Sequence, residues 1–282
     1  MSRRRSVRWA CAVALLLALA NGMRPRAELD LPAARAGAQE SERRAKDAST
    51  QLARARGVQA ALRARGESEE AARAGAVRAF RAVRRFFPGA KAEGAEGALR
   101  AAELLRADGQ LEAARRELEV CRRLADSTEL GQRALLELGH MARREERWER
   151  ALDAYERVAL ESPTQAAHGI DAQIWCGRVH LERGDLESAR RWLRKATETP
   201  WHAALRIRAF DWLARTWIVA GDLEACAGVL EECRLALASV TSEQTQLGER
   251  ARQALGTMRA RALLVEALIE RRRAKEEPRQ KK

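Results

Sequence analysis

Gly184-Asp185-Leu186-Glu187-Ser188-Ala189 and Gly221-Asp222-Leu223-Glu224-Ala225 are one turn written twice. In each, a Gly closes one apolar-periodic stretch, an Asp stands where the next helix needs a cap, and a Leu opens that helix. Asp108-Gly109-Gln110-Leu111 and Glu146-Arg147-Trp148 carry the same mark, so that Leu111, Trp148, Leu186 and Leu223 follow one another at 37, 38 and 37 residues. Three residues beyond each lies a small side chain (Ala114, Ala151, Ala189, Cys226), and four further on a large one (Leu118, Tyr155, Leu193, Leu230). Cys121, Val158, Ala196 and Cys233 follow after three more, while Ala102, Gly139, Gly177 and Ala214 hold equivalent places upstream of the turns. Spacings of three and four residues place each set on one helical face, and small residues mark where two helices approach closely. The unit is therefore a pair of helices around a short turn, repeated four times over residues 95–238.

Composition agrees. Ala, Leu, Arg and Glu, all good helix formers, fill 170 of the 282 positions, whereas Val, Ile, Thr, Phe, Tyr and Trp supply only 38, too few for a sizeable sheet. A hydrophobic share of 46% excludes a wholly disordered chain, and a charged share of 33% excludes a multispanning membrane protein. The fold class expected is all-α.

The recurring pattern resembles the tetratricopeptide repeat (TPR) family. Residues 134–163 match its small/large/terminal-Pro scheme best, through Leu135, Leu138, Gly139, Trp148, Ala151, Tyr155, Val158 and Pro163. Phe80, Val83 and Pro88 fit a degenerate earlier unit. The period exceeds the family's usual 34 residues, and the fourth unit lacks a terminal Pro. The resemblance implies a right-handed superhelical solenoid of antiparallel helix pairs. It also implies that one stripe of each first helix lines a concave groove that receives peptides.

The ends are read from composition and capping. Residues 41–88 are expected to hold N-terminal helices, one over 41–65 and a second capped by Ser68 and reaching Phe87. Pro88-Gly89 and the Gly-containing stretch to Gly97 read as a loop. Thr241 with Gln244 has the form of a capping box opening a long capping helix over 241–273, whose apolar stripe is Leu247, Ala251, Ala254, Met258, Val265 and Ile269. Residues 274–282 are expected to be a basic, disordered tail. At the other end, the basic residues Arg3, Arg4, Arg5 and Arg8 precede an apolar run over residues 9–20, ending in Ala18-Leu19-Ala20. That is the form of a secretory signal peptide over 1–20 cleaved after Ala20, and the run is too short to span a bilayer, which takes about 20 residues. Retention as an anchor stays open. Residues 21–40, with Pro25 and Pro32, read as a flexible leader. The resulting expectation is an exported, periplasmic protein with no transmembrane segment in its mature chain.

The net charge of +13 dissolves on inspection, since +4 lies in the first eight residues and +5 in the last twelve. The body is nearly balanced. This speaks against specific nucleic-acid binding, for which a basic track would be needed.

No catalytic motif is present. His140, His168, His180 and His202 lack metal-ligand spacing, and the glycines of 89–94 lack the Lys a phosphate loop requires. Cys121, Cys176, Cys226 and Cys233 fall on repeat core positions, which favours buried packing, although a pairing after export stays open. No catalytic residue, metal site or cofactor is expected, and the protein reads as a non-enzyme.

The candidate site is the first-helix stripe. It comprises Arg133, His140 and Arg144 in one repeat, Asp171, Trp175, Arg178 and Glu182 in the next, and Arg208, Trp212 and Arg215 in the third. Trp and Arg are the residue types most enriched in binding hot spots, and together they suit a peptide held by stacking and charge-assisted hydrogen bonds. The competing reading is that Trp175 and Trp212 pack against neighbouring repeats, as Trp148, Trp192 and Trp217 are expected to do. The groove Asn residues of the family's carboxylate-clamp members are replaced by His140, Arg178 and Arg215, which argues against that form of recognition. The function expected is a non-enzymatic scaffold of the cell envelope that binds a protein or peptide partner. The alternative is a polyanion-binding protein (lipid, glycan or nucleic acid) acting through its basic ends.

Overall fold

A computed structural model describes residues 43–163, 166–243 and 249–280. The expected signal peptide and leader (1–40) lie outside these residues, as do Leu247 of the capping stripe and residues 281–282. Eleven helices and no strand make up the described residues. In order they are α1 (Ala48–Ala64), α2 (Glu69–Phe86), α3 (Lys91–Ala107), α4 (Leu111–Leu124), α5 (Glu129–Arg144), α6 (Trp148–Glu161), α7 (Ala167–Glu182), α8 (Leu186–Thr197), α9 (Ala203–Ala220), α10 (Leu223–Glu243) and α11 (Glu249–Gln280).

The quoted turns organise everything. Five times the chain reverses through the same hydrogen bond, from an amide just past the helix end to the carbonyl five residues before it: Glu67 to Leu62, Gln110 to Leu105, Arg147 to Ala142, Asp185 to His180 and Asp222 to Trp217, at 2.9–3.1 Å. This closure needs a left-handed residue, which an L side chain adopts only at a cost. Gly66, Gly109, Gly184 and Gly221 supply it with φ between 73° and 84°, and Glu146 alone does so with a side chain, at φ 56°. Asp185 and Asp222 then cap the second helices by accepting the amides of Ser188 (3.0 Å) and Ala225 (2.8 Å).

Five helix pairs result: α1/α2, α3/α4, α5/α6, α7/α8 and α9/α10. The residues singled out by their spacing are the core. Ala114, Ala151, Ala189 and Cys226 are fully buried, and so are Tyr155 and Leu193 behind them. Gly139 and Gly177 sit where the helices of a pair touch. A methyl group on Gly177 would stand 2.4 Å from Leu193 Cγ and 3.1 Å from the Ala189 carbonyl oxygen. Each helix packs on the next, and each first helix also touches the first helix of the following pair, whereas successive second helices make no such contact among the described residues. Elements spaced more closely on one side curve toward that side, so the first helices line the concave face.

Four boundaries differ from the sequence reading. The first helix begins at Ala48, capped by Asp47, rather than at residue 41. The Gly-containing stretch before Gly97 is helical from Lys91, because Gly94 and Gly97 serve helix contact rather than a loop: a Cβ on Gly97 would lie 3.0 Å from the Phe80 carbonyl oxygen. Thr241 lies inside α10, which continues through it to Glu243. Finally, α11 runs on through most of the expected tail, whose Ala, Lys and Glu residues favour helix. The capping role itself is observed. Met258, Val265 and Ile269 of α11 are buried in the core built by α9 and α10, with Ala254 half-buried beside them.

Candidate partner-binding groove

The first helices α5, α7 and α9 bring the predicted stripe to the concave face, and most of its charges turn toward one another. Arg133 of α5 binds Glu103 of α3 at 2.9 Å, and Arg106 of α3 answers with Glu137 of α5 at 3.0 Å. Glu182 of α7 meets Arg143 of α5 at 3.5 Å, and Asp171 of α7 pairs with Arg208 of α9. The buried Asp211 of α9 holds Arg261 of α11 at 2.7 Å and Arg215 of its own helix at 2.8 Å. Arg56 of α1 reaches Glu96 of α3 at 2.5 Å. Each first helix is thus tied to the next by at least one ion pair, from one end of the solenoid to the other. Arg133, Asp171, Glu182 and Arg208 belong to this stitching. Arg144 is exposed and in no ion pair among the described residues.

The aromatic part of the stripe forms a stack. Arg178 lies between two indoles, 3.7 Å from the ring centre of Trp175 and 4.1 Å from that of Trp212. Arg143 covers Trp175 from 4.9 Å and Arg215 covers Trp212 from 4.3 Å, so the order along the groove is Arg143, Trp175, Arg178, Trp212, Arg215. Behind it stand Tyr155, whose ring stacks on Trp175 at 6.0 Å, and His140, which meets the edge of Trp175 at 4.7 Å. His140 Nδ1 and the Tyr155 hydroxyl are hydrogen-bonded at 2.7 Å. Guanidinium–indole contacts of this kind are worth about 0.5–2 kcal/mol each, more as water is excluded.

Charge is unevenly distributed along the stack. Arg215 shares Asp211 with Arg261, and Arg143 pairs with Glu182. Arg178 has no carboxylate within ion-pair distance among the described residues, and its buried Nε makes no hydrogen bond. Burial, reinforced by the positive charge of Arg143 and only partly opposed by Glu182, lowers Arg178 to about 10. Burial is also the main reason His140 is lowered to about 4, with Arg143, Arg144, Arg106 and Arg178 adding repulsion. Both shifts report a half-buried, positively biased pocket.

The two readings of the tryptophans are both partly realised. Trp175 packs into the core shared by α6 and α7 and Trp212 into that of α9, yet each keeps exposed surface. Trp148, Trp192 and Trp217 pack as expected, the last under Arg190 at 3.4 Å, while Trp201 is exposed. Arg143 escaped the sequence reading because it stands beside the stripe, between His140 and Arg144, and only the neighbouring repeat reveals what it covers. The four cysteines among the described residues are buried and form no disulfide with one another. No group of three or more His, Cys, Asp or Glu among the described residues is placed to hold a metal ion. No helix among them is long and apolar enough to cross a membrane.

With the geometry in hand, known structures can be compared. The solved structure of the MamA protein matches at a TM-score of 0.50 and 17% identity, over 71% of this chain and 99% of MamA. The fold is a TPR-like helical solenoid. A putative kinesin light chain structure from Podosopora anserina, described as having nearly identical TPR-like repeats, aligns with this solenoid at 0.49 and 16% identity over 68% of the chain and 95% of its own. No family model and no curated protein sequence matches the chain.

Proposed function

We propose that this solenoid is a non-enzymatic scaffold that binds a segment of another protein along the concave face of its first helices. The observation that carries the reading is the Arg178 guanidinium, held between Trp175 and Trp212 and in no ion pair among the described residues. A half-buried cation with only the more distant Glu182 to offset it gains from a bound partner, whereas its neighbours already pair directly with carboxylates. Interleaved Glu103, Glu137, Glu182, Asp171 and Asp211 interrupt any continuous basic track, which disfavours the polyanion alternative for this face. With the basic and apolar segments at residues 1–20, we place the activity outside the cytoplasm, in the cell envelope.

The test is site-specific photo-cross-linking in the protein's own cells, followed by mapping of the adduct. A photoreactive residue at Arg144, exposed on the groove, is expected to capture a defined partner segment that the same residue at Arg191, exposed on second helix α8, does not. Equal capture at both positions, or none at Arg144, removes the groove from consideration. A mature N-terminus at Asn21 is the expected outcome for export, and a retained Met1 in a cytosolic fraction overturns it.

A further inference from the structure

We propose that the partner segment is read by a carboxylate side chain, an Asp or Glu seated on Arg178, and not by stacking on the groove tryptophans. This rests on the groove being the partner site, as proposed above. The sequence alone suggests indole faces available for stacking by a bound peptide. The structure shows those faces in use: guanidiniums lie at 3.7 and 4.9 Å from the Trp175 centre, Tyr155 stacks on the same ring, and guanidiniums lie at 4.1 and 4.3 Å from the Trp212 centre. The indoles therefore act as holders. They fix the plane of Arg178 between them, leaving its NH groups to hydrogen-bond whatever enters the groove.

A guanidinium held in a plane presents its donors as a fork matched to two carboxylate oxygens, and pre-organisation removes the rotamer entropy that an ordinary surface Arg loses on binding. Arg143 pairs with Glu182, and Arg215 shares Asp211 with Arg261. Four guanidiniums thus face two carboxylates, and Arg178 is the one in no ion pair among the described residues, a local excess that one added carboxylate reduces. A phosphate polymer would bring several negative charges, and the carboxylates of the inter-repeat ion pairs on either side would repel them. An acidic residue within an otherwise uncharged extended segment satisfies the site.

The experiment uses the purified full chain and two fluorescein-labelled twelve-residue peptides that differ only in a central Glu or Gln, with binding followed by anisotropy. The Glu peptide is expected to bind at least about 10-fold tighter than the Gln peptide, and Arg178→Gln to abolish that difference. Arg178→Lys keeps the charge but not the fork and is expected to recover only part of it. A measurement needing no variant accompanies these: the Arg178 Nε–H resonance shifts on addition of the Glu peptide and not the Gln peptide. Equal affinity for the two peptides, an unchanged preference in a folded Arg178→Gln chain, or tighter binding of a single-stranded oligonucleotide overturns the proposal. The groove reading fails separately. If cross-linking at Arg144 captures a segment equally in wild type and Arg178→Gln, the groove stands and the carboxylate does not.

Discussion

His140 offers a sharp test of the groove's electrostatics. Its ring hydrogen-bonds Tyr155 on α6, meets Trp175 on α7, and faces Arg106 of α3, Arg143 and Arg144 of its own helix and Arg178 of α7. No carboxylate compensates. Burial and these cations lower its folded-state value to about 4 from 6.5 in an unfolded chain. A lowered value means that the native state binds fewer protons than the unfolded state between those two pH values. Stability is therefore full above pH 6.5, falls as pH drops through that value, and levels off below 4. At pH 5 nearly every unfolded chain carries the proton and only about a tenth of native molecules do, which costs about 2 kcal/mol. His140→Gln cannot take up a proton in this range, while its amide can still hydrogen-bond the Tyr155 hydroxyl. Urea unfolding followed by circular dichroism at pH 7.5, 6 and 5 is expected to show the wild type losing about 2 kcal/mol more than the variant between pH 7.5 and 5. His168, also lowered by burial, contributes to both chains alike. Carboxylates such as Glu69, held at about 2 by Arg63, respond only at lower pH and stay outside this window. A flat wild-type profile, an unchanged slope in the variant, or a His140 ring resonance titrating above pH 6 refutes the reasoning.

Other outcomes follow from the same geometry. Glu146→Gly relieves a side chain held at φ 56°, and the urea midpoint is expected to rise by an amount equivalent to about 1 kcal/mol; a lower midpoint contradicts the strain. Gly177→Ala drives a methyl group into Leu193 and is expected to cost about 2 kcal/mol by the same assay, despite the better helix propensity of Ala, so a neutral effect would mean that α7 and α8 pack more loosely than described. Asp211→Asn breaks the ties to Arg215 and Arg261 and is expected to cost about 2 kcal/mol, with amide exchange accelerating in α11 and not in α3 to α6. Burial raises Cys121 to about 11 and Cys233 to about 12, and likewise raises Cys176 and Cys226. These four thiols are expected to resist iodoacetamide at pH 8 until urea is added, and alkylation of any of them in the folded chain argues against its burial.

Much of the fold was legible because its period is enforced locally. A left-handed turn residue, a cap and small residues at close helix contacts each leave a recognisable letter, so Gly109, Gly184, Gly221, Asp185, Gly139 and Gly177 could be assigned before any coordinates. Legibility fails where one letter serves two purposes. Gly94 and Gly97 read as loop glycines but provide room for α2 against α3, because a missing Cβ permits close approach as well as unusual dihedrals. Thr241 reads as a cap but lies within α10, since capping chemistry matters only where a helix ends.

The sequence by itself determined the repeat, its register, the core and the stripe of side chains that faces the groove. These depend on spacing along one helix, which the 3.6-residue turn dictates. Only the tertiary structure decided what each member of the stripe does. Whether Asp171 awaits a ligand or neutralises Arg208, and whether Trp175 offers its face or supports Arg178, depends on residues about one repeat away. Distances between repeats follow from helix packing and curvature, and no pattern within one repeat encodes them. The same separation explains why residue type marks the tryptophans, whereas the guanidinium they hold between them is visible only in three dimensions.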